Sequence, residues 1–498
     1  MRPNVLLVVI DSARAQNTSL HGYERETTPF LADFAERSTV YTQARAPSIH
    51  SIASHVSMFT GLHVAEHEAT RHTAQIDTTR TVWHDLATRG YATGLLTNNQ
   101  IVSAASNLSD SFDETVTPEY PTTTRLQDRF KGTRLEETWF RLSDRASNLS
   151  ILNSNSAQSN GRPDEEASGN GLVDRIGDGV DAVIDRFDGG ESGYKSIYGG
   201  EFVDDFFAWE SEQTGPWAAC LNLMDPHSPY EPAAEYDQWS DEDSWQAQEQ
   251  KPDIRTTLDG EGWDKIEALE PLYDGGIRQA DAAVAELVAG LEERGMLEDT
   301  LLIVTSDHGE AFGEQSNLKP EIRLRGHKWG IPEVLTHVPL LVRYPGQTEG
   351  RVVDDVVSLT DLPRMIDRVL DTADAGESVD PDAEDPLRTE GPVLASTFRI
   401  PEDKRAKYGS VEGLDRFVGP WRAVYEDGED GVRKYAQTGE YYLTADIDGT
   451  AVSVVDSDSH DRVAQAYADL ADDEILTERT SDIDENIESR LEDLGYMR

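Results

Sequence analysis

Two short apolar runs, each followed by acidic residues, constrain the fold of this chain most strongly. Residues 301–305 read L-L-I-V-T and residues 5–10 read V-L-L-V-V-I. Runs of this length and composition are typical of strands buried on both faces of a parallel sheet. The first run leads into Asp307-His308 and the second into Asp11. Because open α/β sheets bind ligands at the carboxyl ends of their strands, we expect these three residues at one edge of a sheet.

The Asp307-His308 pair has two interpretations on the sequence alone. A carboxylate and an imidazole placed together can hold a metal ion. The same pair can also be an ordinary polar loop that follows a core strand. The choice between them depends on whether further ligands reach the same place.

Strands and helices alternate along much of the chain. An amphipathic helix at 81–89 precedes a strand at 92–97, and the apolar run 217–224 leads into Asp225 and His227. This rhythm predicts an α/β fold in which a large, mostly parallel sheet is flanked by helices.

Composition divides the chain into parts. Residues 1–370 form the predicted main domain, interrupted at about 142–200 by a polar insertion rich in Ser, Asn and Asp. Residues 371–391 are rich in Pro, Asp and Gly, and they predict a linker. Residues 392–498 predict a small antiparallel sheet followed by an acidic helix.

The segment 51–61, S-I-A-S-H-V-S-M-F-T-G, predicts a helix. Its apolar residues recur at helical spacing and Gly61 is placed as the C-terminal cap, so Ser51 lies at or near the N-cap. A serine there can simply cap the helix. A hydroxyl at that position also lies in a field that favours an alkoxide and an anionic substrate group. Both roles of Ser51 stay open at this point.

The charge of the chain is extreme. Its 498 residues carry 95 acidic and 44 basic side chains, a net charge of −51, and only nine of the basic residues are lysine. We interpret this acidic, lysine-poor composition as a halophilic adaptation, since such a surface stays soluble when salt screens long-range repulsion. It argues against binding to nucleic acid or to anionic membranes, which requires clustered Lys and Arg.

Cysteine usage and hydropathy predict a cytoplasmic protein. Cys220 is the single cysteine and lies within an apolar run, so a disulfide framework is excluded. No stretch approaches the roughly 20 apolar residues that a membrane span needs. The N-terminus also lacks the pattern of a signal peptide.

Four motifs, in this order, resemble the sulfatase-like branch of the alkaline phosphatase superfamily over most of residues 3–370. They are N-V-L-L-V-V-I-D-S-A-R at the N-terminus, S-I-A-S-H-V-S-M-F-T-G, D-P-H-S-P-Y at 225–230, and T-S-D-H-G-E followed by G-H-K-W-G-I-P-E-V-L-T-H-V-P-L-L-V-R. Each motif is weak alone, but four in family order at comparable intervals are specific. The resemblance implies an alkaline phosphatase-like fold with a large mixed sheet.

The resemblance also implies a metal site. Asp11, Asp307 and His308 match metal ligands of the family, and Ser51 matches its nucleophile, which also contacts the metal. This ligand set suits one divalent ion, with Mn²⁺, Mg²⁺ or Ca²⁺ preferred, although Zn²⁺ also fits.

Other residues are implied to act on the substrate. His227 and His327 fall where the family contacts the anionic ester group or protonates the leaving oxygen, which gives both a catalytic role. We expect His55, Lys328 and Arg14 to bind the substrate.

The chain departs from the usual sulfatase pattern at two places. Sulfatases carry C-x-P-S-R or S-x-P-S-R, whose first residue is oxidised to formylglycine, whereas residues 51–55 read S-I-A-S-H and lack both the Pro and the Arg. This argues against formylglycine and favours phosphoryl chemistry on an unmodified Ser51. Ser12 stands where many sulfatases have a second Asp, which favours a single metal ion.

We therefore expect a metal-dependent hydrolase or transferase of phosphate or sulfate esters, with Ser51 as a metal-activated nucleophile. The substrate would be a small-molecule, glycan-linked or lipid-linked anionic ester. Two alternatives stay open. One is a formylglycine-type sulfuric ester hydrolase, and the other is a catalytically weakened protein that binds anionic glycans or lipid head groups.

Overall fold

The computed structural model describes residues 2–117, 198–252, 254–397, 414–428, 431–471 and 473–477. The polar insertion predicted at 142–200 lies outside these ranges except for its last three residues. The predicted C-terminal acidic helix also lies outside them.

The described residues form three sheets. Their strands are β1 Asn4–Ile10, β2 Thr39–Arg45, β3 Ala92–Thr97, β4 Glu114–Val116, β5 Trp217–Leu223, β6 Thr300–Thr305, β7 Phe312–Gln315, β8 Arg323–Arg325, β9 Leu340–Arg343, β10 Arg351–Ser358, β11 Val393–Thr397, β12 Trp421–Gly428, β13 Gly431–Thr438, β14 Tyr441–Asp448 and β15 Ala451–Asp456.

Helices connect and cover these strands. The α-helices in the described ranges are Pro29–Phe34, Ser51–Thr60, Val64–His67, Val82–Thr88, Gly199–Glu210, Glu242–Glu249, Ile254–Leu258, Trp263–Glu267, Glu270–Glu293, Glu333–Thr336, Leu362–Asp374 and Arg462–Ala468. None of them is both long and apolar enough to cross a bilayer.

The main sheet has eight strands in the order β10-β2-β9-β6-β1-β5-β3-β4. Neighbours are parallel except beside β9, which runs antiparallel to β2 and to β6. The predicted mixed, mostly parallel sheet is therefore confirmed. Every residue of β5 and β6 is buried, as expected for strands covered on both faces.

The register of the central strands places the site. β1 lies between β5 and β6, with Ile10 opposite Leu223 and Val9 opposite Thr305. The carboxyl ends of the three strands are thus level with one another. Asp11, which follows β1, therefore lies beside the residues that follow β6.

The C-terminal residues form a five-stranded sheet in the order β11-β12-β13-β14-β15, and all of its pairs are antiparallel. This confirms the predicted antiparallel sheet. The sheet packs directly on the main part of the protein, since the Ser396 amide donates to the Pro47 carbonyl at 2.9 Å.

The segment predicted as a linker, 371–391, also packs against the main sheet. Helix Leu362–Asp374 extends into it, and Leu387 is fully buried. The Tyr41 hydroxyl of β2 donates to Asp385 Oδ1 at 2.8 Å. The domain boundaries stay a prediction. The packing shows that this segment is an ordered part of the fold.

A buried ionic network fastens the C-terminal sheet to the segment before β9. Lys434 Nζ donates to Glu333 Oε1 at 2.8 Å and to the Ile331 carbonyl at 2.6 Å. Arg45 Nη2 lies 3.1 Å from Glu333 Oε2, and the Tyr425 hydroxyl donates to Oε1 at 3.1 Å. Burial raises the pKa of Glu333, but the charges of Lys434 and Arg45 bring it below its ordinary value. The carboxylate is therefore ionised and lies between two cations.

We predict that Lys434→Met lowers the free energy of unfolding by about 3 kcal/mol, because it breaks a buried ion pair and leaves a buried carbonyl unpaired. Chemical denaturation at high salt concentration measures the effect. The adjacent Arg433 provides a matched control, since its ion pair with Asp446 is 36% and 50% exposed. Arg433→Met should cost less than about 1 kcal/mol. Equal losses in the two variants would contradict the role of the network.

Candidate active site

Asp11, Asp307 and His308 meet at the carboxyl edge of the main sheet. All three side chains are buried, and one ligand atom from each lies within 4.8 Å of the others. Asp11 follows β1 and the other two follow β6, so the parallel register brings them together. Within the described part of the chain they form a group able to hold a metal ion.

The Asp11 carboxylate is held by hydrogen bonds on both oxygens. Oδ1 accepts from the Ser12 hydroxyl at 2.9 Å. Oδ2 accepts from Asn99 Nδ2 at 2.8 Å and from Asn222 Nδ2 at 3.4 Å. These donors fix the orientation of the carboxylate but bring no positive charge.

The Asp307 carboxylate is held on one oxygen alone. Oδ1 accepts from the amides of Ser12 at 3.1 Å and His308 at 3.0 Å. Oδ2 is buried and accepts no hydrogen bond from the described residues. A buried carboxylate oxygen without a donor is costly unless a cation occupies the space before it.

Ser12 connects the two carboxylates and adopts an uncommon backbone conformation. Its φ of 64° lies in the left-handed region, which costs a non-glycine residue of order 1 kcal/mol. This conformation directs the amide to Asp307 while the hydroxyl bonds to Asp11. The two hydrogen bonds that orient the acids thus offset the cost of the left-handed conformation.

Glycine is required directly after His308. A Cβ at Gly309 would lie 2.0 Å from the Val334 carbonyl oxygen, closer than any side chain tolerates. The Gly309 amide also donates to the Leu335 carbonyl at 2.9 Å. The Asp-His-Gly order therefore reflects tight packing of this loop against the segment before β9.

His308 has a defined ring orientation. Its Nδ1 donates to the Gly309 carbonyl at 2.9 Å, so Nε2 is the nitrogen that faces Asp307 and Ser51. Nε2 lies 3.4 Å from Asp307 Oδ2 and 3.3 Å from Ser51 Oγ. A backbone bond that fixes the tautomer in this way is the usual arrangement for a metal-ligating histidine.

Electrostatics favour a cation at this place. Burial and repulsion from Asp307 raise the pKa of Asp11 to about 7. Burial lowers the pKa of His308, but the charges of Asp307 and Asp11 raise it above its ordinary value. Among the described residues, neither carboxylate has a lysine or arginine partner, and Asp307 Oδ2 accepts no hydrogen bond, so the two acids and the His308 imidazole fit a divalent cation well.

Ser51 lies directly beside this group. It is the first residue of helix Ser51–Thr60, is 1% exposed, and follows His50, which is the N-cap residue. Its hydroxyl therefore lies at the positive end of a ten-residue helix, next to His308. The predicted helix and its Gly61 cap have the expected positions.

His55 lies behind Ser51. Its Nδ1 donates to the Ser51 carbonyl at 2.8 Å and is 3.7 Å from Asp307 Oδ2. Its side chain is fully buried, and burial lowers its pKa. The structure thus brings His55 to Asp307 and to the backbone of the helix.

His227 and His327 lie together with His308. The His327 ring centroid is 4.5 Å from that of His308 and 5.5 Å from that of His227. His227 Nδ1 donates to the Ser228 carbonyl at 2.7 Å, and His327 Nδ1 lies 2.9 Å from Glu310 Oε2. The Tyr230 hydroxyl donates to Glu310 Oε1 at 3.0 Å. A Tyr–Glu–His chain therefore orients His327.

Lys328 lies at the same place. It is half-buried, and its charge contributes to lowering the pKa values of His327 and His50, after burial and neighbouring histidines. Its predicted role in substrate binding stays a prediction.

Arg14 is buried and bonded within the protein, and its predicted role in substrate binding stays a prediction. Its guanidinium is 1% exposed and donates to Asn17 Oδ1, to the Glu310 carbonyl at 3.0 Å, and to Glu314 and Glu270. These partners use four of its five N–H groups. Arg14 therefore braces the loop after His308 from inside the protein.

Several residues at the site are not predicted from the sequence. Asn99 follows β3, so the rule that identified Asp11 also applies to it. Asn222 lies within β5, and Glu310 lies in the T-S-D-H-G-E motif. His50 and Lys251 show no signal in the sequence, because their proximity to His327 depends on tertiary structure.

Comparison with known proteins decides the family. A family model described as Sulfatase matches residues 3–372, most of the chain. The chain belongs to the sulfatase family. An arylsulfatase of Clostridium perfringens (strain 13 / Type A) is 24% identical to this sulfatase-family protein over 399 residues, which cover 74% of the chain and 75% of the relative. Arylsulfatase K of Bos taurus is 34% identical over 104 residues, 21% of the chain and 18% of that relative.

Solved structures show the same fold. The phosphonate monoester hydrolase of Agrobacterium radiobacter has a TM-score of 0.55 at 20% identity, covering 89% of each chain. The enzyme SpPMH from Silicibacter pomeroyi has a TM-score of 0.55 at 17% identity, covering 94% of this chain and 93% of that one. A protein of the alkaline phosphatase superfamily from Vibrio parahaemolyticus has a TM-score of 0.50 at 14% identity. These solved structures thus share the fold of this sulfatase-family protein.

Proposed function

We propose that the protein cleaves phosphate esters with an unmodified Ser51 as the nucleophile. One observation carries the proposal: Ser51 Oγ lies 3.3 Å from His308 Nε2, at the N-terminus of a helix and beside two buried carboxylates. The names of the similar proteins cover sulfatases and phosphonate hydrolases, so the choice of chemistry rests on the residues around Ser51.

Those residues favour the hydroxyl itself. The segment from Ser51 to His55 lacks the Pro and the Arg of the motif whose first residue becomes formylglycine. His55, in place of that Arg, bonds to the Ser51 carbonyl and approaches Asp307. Its Nδ1 is thus used within the protein and brings no fixed positive charge of the kind that an arginine would offer to a substrate sulfate.

Asp11, Asp307 and His308 would hold one divalent cation, which supplies Lewis-acid stabilisation to the ester oxygens and lowers the pKa of a neighbouring hydroxyl. Around it, Asn99 and Ser12 keep the Asp11 carboxylate in place. The positive end of the helix after His50 adds stabilisation of negative charge at Ser51.

Proton transfer is assigned to His327. Burial, His308 and Lys328 hold its pKa well below the ordinary value, so the ring is neutral, with Nδ1–H donated to Glu310 and a lone pair on Nε2. His327 would take the Ser51 proton as the oxygen bonds to phosphorus, and return it to the leaving oxygen as the ester bond breaks. The Glu310 carboxylate stabilises the imidazolium between these steps. Water or an acceptor hydroxyl then releases the phosphoryl group from Ser51.

We predict that Glu310→Gln lowers kcat about 100-fold for esters with an alkyl leaving group, while KM changes little. For 4-nitrophenyl esters the loss should be smaller, because that leaving group departs without a proton. Steady-state kinetics on both ester types measure the split. Glu298→Gln is the control, since Glu298 is 63% exposed, pairs with Arg343 and precedes β6, whereas Asp307 and His308 follow the other end of that strand. An unchanged kcat for alkyl esters, or a larger loss for 4-nitrophenyl esters than for alkyl esters, would contradict the role of Glu310.

We predict that Ser51→Ala lowers kcat for 4-nitrophenyl phosphate at least about a thousandfold, since it removes the nucleophile. The assay pairs this ester with bis(4-nitrophenyl) phosphate and 4-nitrophenyl sulfate at high salt concentration. Mass spectrometry of tryptic peptide 46–71 from active wild-type protein should show an unmodified serine. A peptide lighter by two hydrogen atoms, with turnover of the sulfate ester alone, would instead identify a formylglycine sulfatase. Absence of turnover of every ester would favour a binding protein.

A further inference from the structure

Histidine and lysine side chains are concentrated around the candidate active site. Six of the twelve histidines of the chain lie around Ser51 and His308: 50, 55, 72, 227, 308 and 327. Two of its nine lysines, Lys251 and Lys328, lie near enough to influence His327. A chain with a net charge of −51 repels anions at long range, so this local concentration is where an anion can be held.

Four of these residues differ from the rest in exposure. His227, His308 and His327 are buried, whereas His50, His72 and Lys328 are half-buried and Lys251 is exposed. We call His50, His72, Lys251 and Lys328 the rim group. The rim group is therefore nearer to solvent than the residues assigned to the reaction.

Contacts and chain adjacency place three members of the rim group, His50, Lys251 and Lys328, around His327, and the fourth, His72, is near enough to lower the pKa of His327. The His50 ring is 6.2 Å from the His327 ring in an edge-on arrangement, and Lys328 follows His327 in the chain. Lys251 Nζ donates to Ser228 Oγ and lies 5.1 Å from the centre of the Tyr230 ring. Ser228 in turn adjoins His227, whose ring is 5.5 Å from that of His327.

Cleavage of one ester group does not require all of these histidines and lysines. The Asp11, Asp307 and His308 group, Ser51 and the Glu310–His327 pair account for the reacting atoms. No step of the reaction uses the charge of Lys251. A lysine beside an aromatic ring and a serine hydroxyl is well suited to contact a carboxylate, sulfate or phosphate group.

We propose that the rim group, with Lys251 as its outermost cation, binds a second anionic group on the alcohol side of the substrate. The preferred substrates are thus esters that carry a further carboxylate, sulfate or phosphate. This inference builds on the proposed function for the ester itself, but the second site can be measured by binding alone.

Non-reacting mimics provide the test. Phenylphosphonate and benzenesulfonate, each with a 3-carboxylate or an uncharged 3-carboxamide of similar shape, are titrated into the full-length protein by calorimetry. We expect the carboxylate to bind about tenfold more tightly than the carboxamide in the better-bound series, equivalent to about 1.4 kcal/mol. Lys251→Met should reduce this ratio to near one, and Lys251→Glu should reverse it.

Lys265 offers a matched control. It lies on helix Trp263–Glu267 and donates to Gln250, the residue before Lys251, at 3.0 Å. Lys265→Met should keep the wild-type ratio. Equal binding of carboxylate and carboxamide by wild-type protein, or a preference that survives both Lys251 variants, overturns the proposal.

The outcome is independent of turnover. Ser51→Ala should abolish activity and keep the preference for the carboxylate. Wild-type protein that shows this preference but cleaves no ester would refute the proposed function and leave the second anion site standing.

Discussion

The repulsion between two buried carboxylates, Asp11 and Asp307, is the constraint on which the site depends. The parallel register of β1 and β6 places them side by side, and burial removes the water that would solvate them. Ser12, Asn99 and the backbone orient them but do not neutralise them. The rest of the site follows from this arrangement, because a cation that satisfies both acids also lies beside the imidazole of His308 and the hydroxyl of Ser51.

The surrounding structure keeps this arrangement rigid. Gly309 permits the loop after β6 to press against the segment before β9, and Arg14 braces the same loop through Glu314. The C-terminal sheet holds the other side of that segment through Lys434 and Glu333. The C-terminal sheet therefore contributes to the position of the loop that carries Asp307 and His308.

Much of this could be read from the sequence, and the remainder has physical reasons for being missed. Asp11, Asp307 and His308 follow apolar runs, so the edge rule for parallel sheets locates them. Arg14 follows the same run as Asp11, but its orientation depends on acids that are about 250 to 300 residues away. Such pairings are set by tertiary contacts, and no local pattern encodes them. The roles of the remaining predicted site residues are matters for experiment.

The location of a bound metal ion tests most directly whether Asp11, Asp307 and His308 form a metal site. Crystals grown with MnCl₂ should give one anomalous difference peak at coordination distance from Asp11, Asp307 and His308, and Asp307→Asn crystals should lose it. We expect one such peak, adjacent to Ser51 Oγ. A wild-type map without a peak at these three residues, or with the manganese bound elsewhere, would contradict it.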